Sequence, residues 1–134
     1  MFTSDLMKKI NIPGTTLTFF RVSSYEGITT TGKVKKIMGF TEDITDRNVV
    51  VVEDIIDTGI TIVEVLAQIN MHKPKAVYLS SLLYKPNACK KRLHIDYLGF
   101  KIPDQFVVGY GLDYDSLGRN LKSIYAFKEQ YTIF

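Results

Sequence analysis

Val49 to Val52 is an unbroken run of four β-branched residues. A run of that kind predicts a strand covered on both faces, because such a strand need not alternate apolar and polar positions. Ile62, Val63, Leu66 and Ile69 then recur at helical spacing and predict a helix. Between the two lie Glu53, Asp54 and Asp57, followed directly by Thr58 and Gly59. Strand, acidic tip, small-residue turn and helix make half of a βαβ unit. Its turn falls at the carboxyl edge of the sheet, where open α/β folds bind ligands.

The same patterning organises the rest of the chain. Phe2, Leu6, Met7 and Ile10 share one helical face within Met1 to Ile10, and Asn11-Ile12-Pro13-Gly14 ends that segment. Thr15 to Ser23 is β-branched and aromatic and predicts a strand. Ser24 to Phe40 is polar and rich in Gly and Thr, with Lys33, Lys35 and Lys36 interleaved with Val34 and Ile37. It reads equally as a hairpin ribbon or as a lid over the acidic turn. Ala76 to Tyr84 is the next strand, stopped by Lys85-Pro86-Asn87. Asp96 to Asp104 reads as a turn-rich approach to a further strand, Gln105 to Gly111. Ser123 to Phe134 closes the chain as an apolar-aromatic strand. Strands spaced by crossover lengths predict one α/β domain over 1–134, with a mainly parallel sheet flanked by helices.

Main-chain N–H groups from Asp57 to Thr61 are expected to face an anion at the helix N-terminus, with the hydroxyls of Thr58 and Thr61 beside them. Three carboxylates next to a phosphate cradle are compatible only if a cation or sugar hydroxyls lie between. A sugar phosphate with Mg²⁺ is the simplest ligand that meets both demands. Lys85 ends a strand on the same edge. Position alone leaves it open whether it faces the ligand or water.

Composition adds mostly exclusions. Hydrophobic residues make up 46% and charged residues 23% of 134 residues, as in a soluble globular domain. No apolar run reaches the length of a membrane span, and the first residues have no signal-peptide pattern. A net charge of +3 suits anionic small molecules and is too small to argue for nucleic acid. Lys90, Lys91 and Arg92 read as a solvated loop. Cys89, the single cysteine, excludes an intrachain disulfide and makes the cytoplasm the expected compartment. His72 and His94 have no partner at metal-ligand spacing.

Val49 to Thr61 (VVVVEDIIDTGIT) resembles the phosphoribosyl-pyrophosphate signature of the type I phosphoribosyltransferases. EDIIDTG, and IPDQFVVGYGLDY from Ile102 to Tyr114, are similar to the hypoxanthine-guanine branch. The resemblance runs from Phe2 to the end of the chain. It implies a purine-salvage transferase that makes IMP or GMP and pyrophosphate from hypoxanthine or guanine and phosphoribosyl pyrophosphate. It also implies Mg²⁺ and a homo-oligomer, either dimer or tetramer. Residue by residue, Glu53 and Asp54 would hold the ribose hydroxyls, partly through the metal. Asp57 would exchange the purine N7 proton, and Thr58, Gly59, Ile60 and Thr61 would wrap the 5′-phosphate. Lys85 would donate to the purine O6, Phe106 would stack on the ring, and Val107 would read its edge. Asp113 would join the purine site and bind Mg²⁺, Arg119 would face pyrophosphate, and Ser24-Tyr25 would close as the lid.

The chain departs from that pattern at two places. The family's segment ahead of the position of Met1 carries a core strand and a pyrophosphate-binding loop, so one core strand is expected to be missing between Thr15–Ser23 and Val49–Glu53. A chain of this extent is expected to be unstable and weakly active by itself. Cys89 stands where many relatives place an arginine, and Lys90, Lys91 or Arg92 are its expected substitutes. Two alternatives to the enzyme therefore stay open: a non-catalytic regulator that keeps the phosphoribosyl-pyrophosphate cradle, and an inactive fragment.

Overall fold

The computed structural model describes residues 1–25, 34–38 and 42–127, with the backbone alone described for 21–25 and 34–38. The elements are α1 (Phe2–Met7), β1 (Arg21–Tyr25), β2 (Val34–Met38), β3 (Asn48–Ile56), α2 (Ile60–Met71), β4 (Ala76–Tyr84), β5 (Tyr97–Lys101), β6 (Val107–Val108) and β7 (Tyr125–Ala126). Among the described residues β3, β4 and β5 form a sheet in that order, and both ladders are parallel. β1 pairs with β2 and β6 with β7, each antiparallel.

The β3–α2–β4 unit is the frame of the molecule. The β-branched run of β3 pairs in register with β4, Val49 opposite Val77 and Val51 opposite Leu79. α2 lays Ile62, Val65 and Ile69 onto that sheet, and with Val51, Ile56, Leu79 and Ile44 they form the buried cluster. Burying an aliphatic side chain of this size contributes about 1.5–3 kcal/mol. The apolar stripe differs from the expected one at a single position. Val65 is fully buried, whereas Val63 faces outward.

Four expectations need correction. β3 is longer than Val49–Val52 and includes Glu53 and Asp54, so only Asp57 of the three acids lies on the turn. Nor is β3 covered on both faces, since Val50 is half exposed while Val51 is buried. Among the described residues β3 has one ladder neighbour, β4, and β1 has one, β2. Among the described residues Thr15–Phe20 has no ladder partner, and the described strand begins at Arg21 opposite Met38.

The third correction concerns the sheet. Tyr97–Lys101 is a parallel strand, with Leu98 opposite Ser81 and Phe100 opposite Leu83. Its Gly99 lies so close to β4 that an added Cβ would sit 2.6 Å from the Leu82 carbonyl oxygen. The residue that made the segment read as a turn is thus the one that allows the close approach. Fourth, Gln105–Gly111 is not the third parallel strand. Only Val107–Val108 is extended, paired with Tyr125–Ala126 of the final segment. Residues 128–134, and with them most of the expected final strand, lie outside the described residues.

The backbone of 21–25 and 34–38 is a hairpin, Tyr25 opposite Val34 and Arg21 opposite Met38. Ser24 and Tyr25 are in β1, and the lid expectation rests on side chains and a connection outside the described residues. α1 stops at Met7, short of Ile10, and Asp5 ties it to the far end of the chain by accepting the Tyr110 hydroxyl at 2.7 Å.

Candidate active site

β3 delivers its carboxyl end into a cleft of about 270 Å³ lined by Glu53, Ile55, Asp57, Thr58, Gly59 and Thr61. The chain turns into α2 at Gly59, which has φ +74°, a left-handed conformation that favours glycine. A Cβ at that position would also lie 2.8 Å from Cys89 Sγ and 3.1 Å from Leu93 Cδ1. The first bond of α2 runs from Val63 N–H to the Gly59 carbonyl at 3.3 Å. The N–H groups of Ile60 to Ile62 therefore precede the intrahelical ladder, as an anion cradle requires. Ile60 N–H makes one long contact, 3.5 Å, to the Thr58 hydroxyl.

Glu53 is the electrostatic outlier. Burial pushes its carboxyl up to about 7 from the ordinary 4.5, and the neighbouring Asp54 carboxylate adds to the effect. Asp54 itself accepts the Ile55 N–H at 2.8 Å. Hydroxyls or a cation beside Glu53 would reverse that penalty, because both favour its charged form.

Lys85 follows β4 directly and is buried. Its N–H donates to the Ile56 carbonyl at 3.0 Å, which continues the β3–β4 ladder and sets Lys85 beside Asp57. Lys85 Nζ lies 2.9 Å from Asp57 Oδ2 and 3.6 Å from Asp104 Oδ1. The lysine thus faces the acidic turn. The loop after Lys85 wraps the same turn, with Cys89 N–H donating to the Lys85 carbonyl (3.1 Å) and Lys90 N–H to the Thr58 carbonyl (3.0 Å). Lys90 and Lys91 are exposed there, and Cys89 packs between the loop and Gly59.

Asp104 was not among the residues singled out from sequence. It lay inside the IPDQF motif, two positions before Phe106, but no local pattern pointed it at a lysine nineteen residues away. Phe106 is half exposed and meets Tyr114 and Phe127 edge-on, with ring centroids 5.5 and 5.6 Å apart. It is held by an aromatic wall and still offers ring surface. Val107 is in β6 beside it.

Asp113 and Arg119 are joined to each other, Arg119 Nη2 to Asp113 Oδ1 at 2.6 Å, and Ser116 N–H donates to the other Asp113 oxygen. Arg119 also donates to the Gly111 carbonyl at 3.0 Å. Among the described residues no three His, Cys, Asp or Glu side chains converge as a metal-ligand set, so Glu53, Asp54 and Asp113 are not gathered around one point. The structure thus brings together Glu53, Asp57, Thr58, Gly59, Thr61 and, through Asp57, Lys85. It leaves Asp113 and Arg119 as a pair of their own.

A parallel sheet whose β3 leads through a glycine turn into α2, with a buried lysine just past the end of the adjacent strand, matches known proteins in both sequence and shape. The family model described as phosphoribosyl transferase domain matches residues 1–115. The hypoxanthine phosphoribosyltransferase of Buchnera aphidicola is 42% identical over 125 residues, covering 92% of this chain and 70% of that protein. A crystal structure of a hypoxanthine-guanine phosphoribosyltransferase from Bacillus anthracis superposes with a TM-score of 0.81 at 41% identity, covering 95% of this chain and 75% of that one. A variant of the Trypanosoma cruzi hypoxanthine phosphoribosyltransferase, complexed with the product IMP, gives a TM-score of 0.84 at 33% identity, covering 96% and 66%. With the family model spanning most of its length and relatives above 40% identity, the chain belongs to the phosphoribosyl transferase domain family.

Proposed function

We propose that this chain is a purine-salvage transferase that joins hypoxanthine or guanine to the ribosyl group of phosphoribosyl pyrophosphate, giving IMP or GMP and pyrophosphate. The observation that carries the reading is the Lys85–Asp57 contact of 2.9 Å at the rim of the anion cradle. It sets a hydrogen-bond donor for a ring carbonyl beside a carboxylate that can take a ring proton. The names of the relatives, hypoxanthine and hypoxanthine-guanine phosphoribosyltransferases, favour this enzyme over a regulator that keeps only the cradle.

In this reading 1–134 acts as one domain. The turn Thr58–Thr61 holds the 5′-phosphate through main-chain N–H groups and threonine hydroxyls. Glu53 and Asp54 take the ribose hydroxyls. Phe106 stacks on the purine and the Val107 backbone reads its edge. As purine N9 bonds to C1′, the C1′–O bond to pyrophosphate breaks, and Asp57 accepts the proton released from N7. The ribosyl centre gains positive charge in the transition state, and carboxylates near it lower that barrier. Lys85 donates to O6, which adenine lacks, so hypoxanthine and guanine are favoured.

Glu53 and Asp54 form a hard, all-oxygen donor pair at which a cation would relieve the burial of Glu53, and this fits Mg²⁺. Among the described residues no third carboxylate, histidine or cysteine joins these two, so the remaining ligands would come from the oxygens of phosphoribosyl pyrophosphate. Bound there, Mg²⁺ supplies charge neutralisation for the departing pyrophosphate. Asp113 would have to leave Arg119 before it could bind the metal, and Arg119, once released, could face pyrophosphate. Ser24 and Tyr25, on the β1–β2 hairpin, are the lid residues of this reading, and a cytoplasmic homo-oligomer its expected setting.

The test is direct assay of nucleotide formation. Hypoxanthine or guanine with phosphoribosyl pyrophosphate and Mg²⁺ is expected to yield IMP or GMP and equimolar pyrophosphate, with chelation stopping the reaction. Binding of phosphoribosyl pyrophosphate without nucleotide formation would support the regulator instead.

A further inference from the structure

Lys85 has two acidic neighbours, and only one of them belongs to the reacting machinery. Its ammonium is 2.9 Å from Asp57 Oδ2 and 3.6 Å from Asp104 Oδ1, and its side chain is 7% exposed. Burying an ammonium is costly unless charge and hydrogen bonds offset it. Asp57 is the nearer of the two and the one that accepts a hydrogen bond from the ammonium.

Binding of the base disturbs this arrangement. When Asp57 turns to the N7–H of the bound base it is drawn off Lys85, which is still buried and is being asked to hold O6. We propose that Asp104 is a positioning residue for the base: it retains the Lys85 ammonium, in charge and in direction, when Asp57 turns to the purine. The proposal rests on the transferase reading of the site and extends it by one residue.

Three local features place Asp104 for this task. Ile102 N–H donates to the Tyr84 carbonyl at 2.9 Å, so the chain leaving β5 is anchored to the residue just before Lys85. Pro103 follows with its backbone φ restricted. Gln105 N–H donates to the Pro103 carbonyl at 2.8 Å, and this i to i+2 bond makes Asp104 the middle of a tight turn. Phe106 comes two residues later. The turn therefore links the cation expected at the edge of the purine to the ring expected on its face. An ammonium has three N–H donors. One is directed to Asp57 and Asp104 attracts the ammonium through charge at 3.6 Å, which leaves N–H donors for a ring carbonyl, and losing Asp104 would let the side chain swing fully towards Asp57.

The experiment is steady-state kinetics of Asp104→Asn and Asp104→Glu, varying hypoxanthine at saturating phosphoribosyl pyrophosphate and then the reverse. Asp104 is 62% exposed, so its attraction is partly screened and the expected effect is moderate. Asp104→Asn should raise KM for hypoxanthine about twofold to fivefold, with kcat and KM for phosphoribosyl pyrophosphate nearly unchanged. Asp104→Glu should recover most of the loss. In a Lys85→Ala background, Asp104→Asn should add almost nothing, which separates action through Lys85 from disturbance of the turn. An active wild type with an unchanged KM in Asp104→Asn, or a full additional loss in the Lys85→Ala background, would overturn the role of Asp104 and leave the transferase reading intact. Wild-type protein without turnover on either 6-oxopurine would overturn both.

Discussion

Lys85 is buried and Asp57, the carboxylate that pairs with it at 2.9 Å, is half exposed. The two ends of this ion pair differ in what they can do. The lysine is fixed by its strand and by the solvent it has lost, whereas the aspartate sits on a turn at the mouth of the cleft and can change partner. A proton acceptor needs that freedom, and a donor that discriminates between purines needs the opposite.

Asp57→Asn should therefore lower turnover far more than it lowers affinity for phosphoribosyl pyrophosphate. A general acid–base group typically contributes about a hundred- to ten-thousand-fold. The same change strips the buried ammonium of its nearer carboxylate, and a stability loss of about 1–2 kcal/mol should accompany it, reduced from the fully buried case by the exposure of Asp57. Single-turnover kinetics and calorimetry with phosphoribosyl pyrophosphate check both parts. Turnover at the wild-type rate would remove Asp57 from the chemistry.

Glu53 gives a pH prediction with a definite sign. Its folded-state value, about 7, lies above the ordinary 4.5, so the folded protein binds more protons than the unfolded chain between those values. Stability from this group falls as pH rises from about 4.5 to 7 and is level outside that window. The full cost above the window is at most about 3 kcal/mol. Glu53→Gln in chelator should melt close to wild type at pH 5 and above it at pH 8. A constant difference across that range would show that Glu53 is not held protonated by burial.

Gly59 is where the turn into α2 and the covering loop meet. Gly59→Ala places a Cβ 2.8 Å from Cys89 Sγ at a φ of +74°. The left-handed backbone costs about 1–2 kcal/mol and overpacking about 1–3 more. Melting temperature and affinity for phosphoribosyl pyrophosphate should both fall. Adding Cys89→Ala should recover part of the loss, because it removes the clash and leaves the backbone strain. Recovery of nothing would mean that the contact with Cys89 is irrelevant to the turn.

The part of the fold nearest the chemistry was the part most legible in the sequence. Val49–Val52 pairs with Ala76–Tyr84 because two long apolar strands around an amphipathic helix have few other ways to bury their surface. Asp57-Thr58-Gly59 read correctly as the turn because its glycine has to adopt a left-handed φ. Tyr97–Lys101 was missed because it is a mostly exposed edge strand whose Gly99 mimics a turn. Asp104 was missed because its meaning is tertiary. Its partner Lys85 is brought near only when β5 lies down beside β4. The Asp113–Arg119 pair is likewise tertiary, two residues named from the resemblance whose contact with each other no local pattern announced.

The central claim is that Lys85 reads a 6-oxopurine at a site organised by Asp57. Nucleotide discrimination tests it most directly. Calorimetric titration of wild type and Lys85→Ala with IMP and with AMP tests the O6 contact. The two ligands share ribose and phosphate and differ only at the 6-substituent and N1, and the variant removes only the donor to O6. A charge-assisted hydrogen bond contributes roughly 1.5–3 kcal/mol, so wild type should bind IMP at least about tenfold more tightly than AMP. Lys85→Ala should bring the two affinities together by weakening IMP alone. Equal affinities in wild type, or equal losses for IMP and AMP in Lys85→Ala, would contradict the account.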